Sequence, residues 1–190
     1  MQMMSIISSK TQRHMRKAIF LDRDGVINRK LPEDNYVRYP SEFDLLPEVL
    51  PALKIFRQLG FALVVVTNQR GIGRGLMTDD DLHKVHNFMN SLLRDAGLSI
   101  EGLYYCPHDK TDYCDCRKPA PGMILAATED LNIDLSSSFM VGDSASDVKA
   151  AQNAGVRSVL ISQNQESTEA DLTFQSLLGF AEFLLHQNYS

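Results

Sequence analysis

The chain has no apolar run long enough to cross a membrane, no stripe of lysine and arginine, and no cysteine outside residues 106–116. A membrane-spanning helix needs about 20 consecutive apolar residues. The apolar stretch around Ile6 and Ile7 is too short even for the core of a signal peptide. The formal net charge is −5, with 24 acidic against 19 basic side chains, which argues against the electropositive footprint of a nucleic-acid binder. Three clustered cysteines do not make a secreted disulfide framework; they point to metal binding in a reducing compartment. Internal repeats and low-complexity linkers are missing as well. These absences describe a soluble, cytoplasmic protein that uses neither nucleic acid nor membrane as a partner.

What is present suits one domain. The 190 residues are 44% hydrophobic, enough for a substantial core. Residues 1–14, polar and rich in Met, read as a disordered extension or an over-called start, with residues 15–190 forming the domain, expected to be a monomer. Strands are expected at 17–21, 61–66, 102–105, 139–142 and 158–162, and helices at 47–59, 78–96, 122–131, 147–154 and 177–186. The helix from Thr78 is the clearest. Thr78 caps it, Asp81 follows three residues on, Leu82, Val85, Met89, Leu92 and Leu93 recur at helical spacing, and Gly97 ends it. His83 and His86 on this helix read as packed or solvated residues, because no acidic partner motif accompanies them. The alternation predicts an α/β fold: a three-layer, Rossmann-like parallel sheet with helices on both faces. The segment from Asn28 to Leu46 has little periodicity, and a long loop beside a strand end is more often functional than not.

The first strand ends in Asp22-Arg23-Asp24-Gly25. Two acids at the C-terminal end of a buried strand stand where open α/β sheets place their chemistry. One carboxylate can attack as a nucleophile while the other moves protons. A calcium-binding EF-hand loop would need a preceding helix and a glycine at its sixth position, which is Ile27. The second strand ends in Thr67-Asn68-Gln69, where a hydroxyl and backbone N–H groups can hold phosphate oxygens. The glycines at 71, 73 and 75 do not make a dinucleotide fingerprint: its third glycine would fall on Leu76, and no helix is expected directly at this loop.

Cys106, His108, Cys114 and Cys116 lie in one short loop. Three thiolates and an imidazole make a closed tetrahedral Zn²⁺ site, whose role is structural because no position is left for water. Arg117 and Lys118 follow the last ligand, so a zinc-stiffened loop would hold both cations over the strand ends. Asp143, after the fourth strand, can complete a Mg²⁺ site with Asp22. Asp147 is expected either to cap the next helix or to lie near that metal.

Asp22-x-Asp24, Thr67, Lys118, and Asp143 with Asp147, in this order between about Lys17 and Ser162, resemble the haloacid dehalogenase (HAD) superfamily of aspartate-based phosphotransferases. The Cys106-Pro107-His108 loop, Cys114-Asp115-Cys116-Arg117-Lys118-Pro119 and Thr67-Asn68-Gln69 resemble its zinc-containing phosphatase subgroup, whose substrates are a heptose bisphosphate or histidinol phosphate. Gly71-Ile72-Gly73-Arg74-Gly75 and Pro119-x-Pro121-Gly122-Met123 look closer to the heptose branch. The short stretch between His108 and Cys114 is shared with the histidinol branch, and Ser144 stands where the heptose branch often carries Lys.

The resemblance implies a phosphatase without a large cap domain, acting on a small phosphorylated sugar. Asp22 is then the nucleophile and Asp24 the acid and base. Thr67, Asn68 and Lys118 bind the phosphoryl group, and Mg²⁺ is held by Asp22, the backbone carbonyl of Asp24, and Asp143. Arg117, Asn35, Tyr36, Gln69 and Arg70 are expected to meet the substrate. Histidinol phosphate remains the alternative substrate, and a non-catalytic zinc-stabilised binding module the remote one.

Overall fold

Along the chain come β1 (Ala18–Leu21), α1 (Val49–Gln58), β2 (Ala62–Asn68), α2 (Arg70–Gly73), α3 (Asp79–Asp95), β3 (Gly102–Cys106), α4 (Gly122–Leu131), β4 (Phe139–Gly142), α5 (Ala145–Ala154), β5 (Arg157–Ile161), β6 (Leu172–Phe174) and α6 (Leu177–Gln187). This is a computed structural model, and it describes residues 15–163 and 169–187; the expectation for residues 1–14 lies outside them. The strands form one sheet in the order β3-β2-β1-β4-β5-β6, with every neighbouring pair parallel. Among the described residues no helix is long and apolar enough to cross a membrane.

Strand alternation divides the core in two. Ile19, Leu21, Leu63, Val65, Phe139 and Val141 pack with residues of α1, α3 and α6. Phe20, Val64, Val66 and Met140 face the other way, onto Met123, Ile124 and Ala127 of α4 and Ala150 and Ala151 of α5. Helices therefore cover both faces, as the continuous apolar runs require of strands that have no solvent side. No cap domain interrupts the described chain. Its long insertion, from β1 to α1, is a loop with one turn of 3-10 helix at Pro40–Glu42, pinned to the core by Val37 and Phe43.

The differences from the sequence reading lie mostly at element ends. β2 continues past Val66 to Asn68, because Thr67 and Asn68 pair with Tyr105 and Cys106 of β3. α5 begins at Ala145, since Ser144 and Asp147 close a capping box around its first turn. α1 begins after Pro47 and Glu48. Two elements are additional: the short edge strand β6, and α2, a helix of 4 residues starting directly after Gln69, where none was expected. So short a turn is fixed by tertiary contacts rather than by periodicity.

α6 seals one face. Phe180 is fully buried, its ring centroid 5.6 Å from Phe56, 5.2 Å from Phe139 and 5.4 Å from Phe174. Phe180→Ala should lower unfolding free energy by about 3–5 kcal/mol, the cost of emptying a packed aromatic site, as read from the urea denaturation midpoint.

Candidate active site

Three neighbouring strands deliver the polar groups to one edge of the sheet. β1 ends before Asp22, β2 ends in Thr67 and Asn68, and β4 ends in Gly142, just before Asp143. Lys118 comes from the loop between β3 and α4 and is buried. Its Nζ lies 2.9 Å from Asp22 Oδ1 and 2.6 Å from Asp147 Oδ1, and it donates to the Val66 carbonyl at 2.8 Å. The Asn68 side chain clamps the Lys118 backbone: Oδ1 accepts from Lys118 N at 3.0 Å, and Nδ2 donates to Lys118 O at 3.1 Å. Asp147 takes the capping role the sequence allowed, and adds an ion pair with Lys118. Its Oδ2 accepts from Ser144 N and Oγ, capping α5, while Oδ1 faces the lysine.

Asp22, Asp143 and Asp147 offer carboxylate oxygens within 4.8 Å of one another. Two ammonium groups oppose these three acids: Lys118, and Lys30 from the long loop, whose Nζ is 2.6 Å from Asp143 Oδ2. Asp143 Oδ1 is buried without a hydrogen-bond partner. Surplus negative charge and a spare hard oxygen fit a divalent cation such as Mg²⁺. Gly25 keeps the space open. Its φ is +96°, and a Cβ there would lie 2.2 Å from Asp143 Oδ2, so any side chain would collide with the cluster.

The two acids of the first motif have opposite environments. Burial pushes the Asp22 carboxyl up to about 7 against the pull of Lys118, with Asp147 and Asp24 raising it further. Burial would also raise Asp24, but the Arg23 guanidinium and hydrogen bonds from Asn28, Arg23 and Gln69 override it and hold the carboxyl below its ordinary value. Arg23 Nη2 donates to Asp24 Oδ1 at 2.9 Å and Oδ2 at 2.8 Å, Asn28 Nδ2 to Oδ1 at 2.9 Å, and Gln69 Nε2 to Oδ2 at 3.1 Å.

The four zinc candidates converge. Cys114 Sγ is 3.5 Å from the sulfurs of both Cys106 and Cys116. His108 Nδ1 is 3.6 Å from Cys106 Sγ and 3.3 Å from Cys116 Sγ. Tetrahedral Zn–S bonds of about 2.3 Å put sulfurs ~3.8 Å apart, so this cluster is close to the size the ion needs. Gly73 of α2 seats the loop: its N–H donates to the Pro107 carbonyl at 2.7 Å, and a Cβ there would come within 2.8 Å of that same oxygen.

A cavity of about 480 Å³ opens above Asp22, lined among others by Asn35, Tyr36, Gln69, Arg70, Lys110 and Arg117. All five expected substrate contacts thus reach one cavity, with different commitments. Gln69 is 1% exposed and spends its amide on Asp24 and on Thr67 Oγ1. Arg70 pairs with Asp109 and Asp34. Arg117 donates to the His108 carbonyl and, with Asn35 and Tyr36, lines the wall.

Sequence reasoning missed Arg23, Asn28, Lys30 and the part played by His86. Arg23 is 0% exposed, and its Nη1 lies 3.1 Å from His86 Nε2. The signal was present: alternation puts position 23 on the same face as Ile19 and Leu21, and His86 belongs to the stripe of Leu82, Val85 and Met89 that covers that face.

The HAD-hydrolase-like family model matches residues 115–177. The D-glycero-β-D-manno-heptose-1,7-bisphosphate 7-phosphatase of Pasteurella multocida is 42% identical over 162 residues, covering 82% of this chain and 86% of that protein. The enzyme of the same name from Escherichia coli strain K12 is 43% identical over 146 residues, covering 73% of this chain and 75% of that one. Among solved structures, the D,D-heptose 1,7-bisphosphate phosphatase of B. bronchiseptica, complexed with magnesium and phosphate, superposes with a TM-score of 0.81 at 34% identity, covering 90% of this chain and 99% of its own. The chain belongs to the HAD-like family of phosphatases, in the branch these enzymes represent.

One consequence concerns acid. Burial, reinforced by Arg23, lowers the His86 imidazole from 6.5 to about 3. Below pH 6.5 the unfolded chain takes a proton that the folded one refuses, so stability falls as pH drops from 6.5 toward 3. His86→Phe should flatten that loss, seen as a smaller difference between urea midpoints at pH 7 and pH 4.5 than in the wild type.

Proposed function

We propose that the chain removes the 7-phosphate of D-glycero-β-D-manno-heptose 1,7-bisphosphate by two-step transfer through Asp22. The observation that carries this reading is the placement of Asp22 at the floor of a cation-lined cavity, with Lys118 at 2.9 Å and Asp24 beside it. Asp22 attacks phosphorus, the bond from phosphorus to the sugar oxygen breaks, and Asp24 delivers a proton to that oxygen. Water then attacks the aspartyl-phosphate, Asp24 takes the proton, and inorganic phosphate leaves with Asp22 restored. The proton-donor form of Asp24 is unfavourable beside Arg23; the negative charge of an arriving phosphate acts in the opposite sense and favours protonation.

Lys118, Thr67 and the N–H of Asn68 stabilise the charge shifting over the equatorial oxygens. Asp22, Asp143 and the carbonyl of Asp24 would hold Mg²⁺, which when bound offsets repulsion between an anionic nucleophile and an anionic phosphate. Cys106, His108, Cys114 and Cys116 would hold Zn²⁺ in a structural role, fixing the loop that carries Arg117 and Lys118. A bisphosphate suits the cavity because Lys110 and Arg117 line it together with Lys118, Arg70 being paired with Asp34 and Asp109. The relatives at 42% and 43% identity carry this substrate in their names.

Phosphate release from the heptose bisphosphate and from histidinol phosphate, each with Mg²⁺, tests the reading. A kcat/KM preference of about a hundredfold for the bisphosphate supports it; the reverse preference discards the sugar substrate. Asp22→Asn should lower kcat by about 10⁴-fold or more, as loss of a nucleophile does, and trapped phosphate on the protein should disappear with it. Cys116→Ser should lose bound zinc, measured by mass spectrometry of the metal content, and lose activity with it. A zinc-free, fully active variant would sever the loop from catalysis.

A further inference from the structure

We propose that His86, on the outer helix α3, is a positioning residue for proton transfer: it fixes the buried Arg23 guanidinium, whose other edge sets the orientation of the Asp24 carboxylate. This rests on the reading of Asp24 as the proton donor.

Arg23 is among the largest fully buried side chains of the described protein. Its Nε and Nη2 point at Asp24, the former 3.3 Å from Oδ1, and Nη1 points away, at His86 Nε2. A planar guanidinium cannot satisfy one edge independently of the other. With His86 gone, Nη1 would be a buried, charged N–H without an acceptor, which is costly. The group would turn to recover a partner, and the fork on Asp24 would turn with it. A guanidinium can only donate, so His86 accepts at Nε2 and carries its proton on Nδ1, a buried atom with no partner among the described residues. Its ring is wedged in the α3 stripe and set against Tyr105, with centroids 6.1 Å apart and planes at 61°.

Asn28 and Gln69 grip the same carboxylate, and the Asp24 side chain keeps 26% of its surface open to the cavity. The direction in which that open surface faces decides whether a proton reaches the departing oxygen. Position 86 thus lies a helix layer away from the substrate but one hydrogen bond from the group that holds the acid.

A role in positioning the acid makes a demand that a purely structural role does not. An alkoxide leaving group needs a proton, whereas p-nitrophenolate leaves without one, and kcat/KM reports the step in which the leaving group departs. His86→Phe keeps a ring and loses the acceptor; His86→Gln restores an acceptor. The kcat/KM of each is measured with the heptose bisphosphate and with p-nitrophenyl phosphate, beside Asp24→Asn. In His86→Phe the alkyl phosphate should lose about tenfold or more and the aryl phosphate less than about threefold, within the range of acid catalysis, and His86→Gln should recover most of the loss. Equal losses on both substrates, or none, while Asp24→Asn stays selective for the alkyl phosphate, overturn the proposal and leave the acid role of Asp24 standing. If Asp24→Asn is itself unselective, the proton-donor reading fails and the proposal falls with it. Should His86→Phe not fold, Arg23→Lys, which keeps the charge and loses the fork, must show the same selectivity.

Discussion

The ammonium of Lys118 is the group around which the site is assembled. It is almost without solvent, and three oxygens surround it, from Asp22, Asp147 and the Val66 carbonyl. These belong to the end of β1, the first turn of α5 and the end of β2, so one charge ties three elements together. A buried lysine is tolerable only with such partners, and removing one carboxylate would leave the others mismatched in a medium that screens poorly. Two acids compete for this one ammonium. Asp147 stays anchored by its cap, and burial drives Asp22 toward its neutral form. That frustration makes the centre receptive to a further cation on the side where Asp143 offers an unpartnered oxygen.

Asp24 is handled in the reverse way. It stands one residue from Asp22, yet a guanidinium and two amides hold it as an anion. Division of labour between two chemically identical side chains arises from environment. The environment here is built from both faces of the sheet: Lys118 arrives through the loop before α4, Arg23 lies under α3.

The cavity walls depend on a second set of contacts. Arg70 and Arg74 reach Asp34 in the long loop, and Arg70 also reaches Asp109 in the cysteine loop. α2, pressed against the Pro107 carbonyl at Gly73, is the joint between the two. Stiffness supplied by a metal in the cysteine cluster would pass through this joint to the residues that line the cavity.

The parallel α/β fold, most strand and helix positions, the Asp22-Asp24 pair, Lys118, Asp143 and the four zinc candidates were legible in the chain. Each is written locally: an apolar run that stops at an acid, a helical stripe with its cap, ligands within one loop. α2, β6, the ion pair of Asp147 with Lys118 and the commitment of Gln69 to Asp24 were not, because each depends on a partner distant in sequence. Arg23 is the sharpest case. Alternation assigned its face, but only packing of α3 over that face decided that a guanidinium would be buried there, with His86 as its outer partner and Asp24 as its inner one. Local patterns fix what each segment can be. Which charges are paired and which are left over is decided by the distances tertiary structure imposes, since electrostatic energies in a buried site change steeply over a few ångströms.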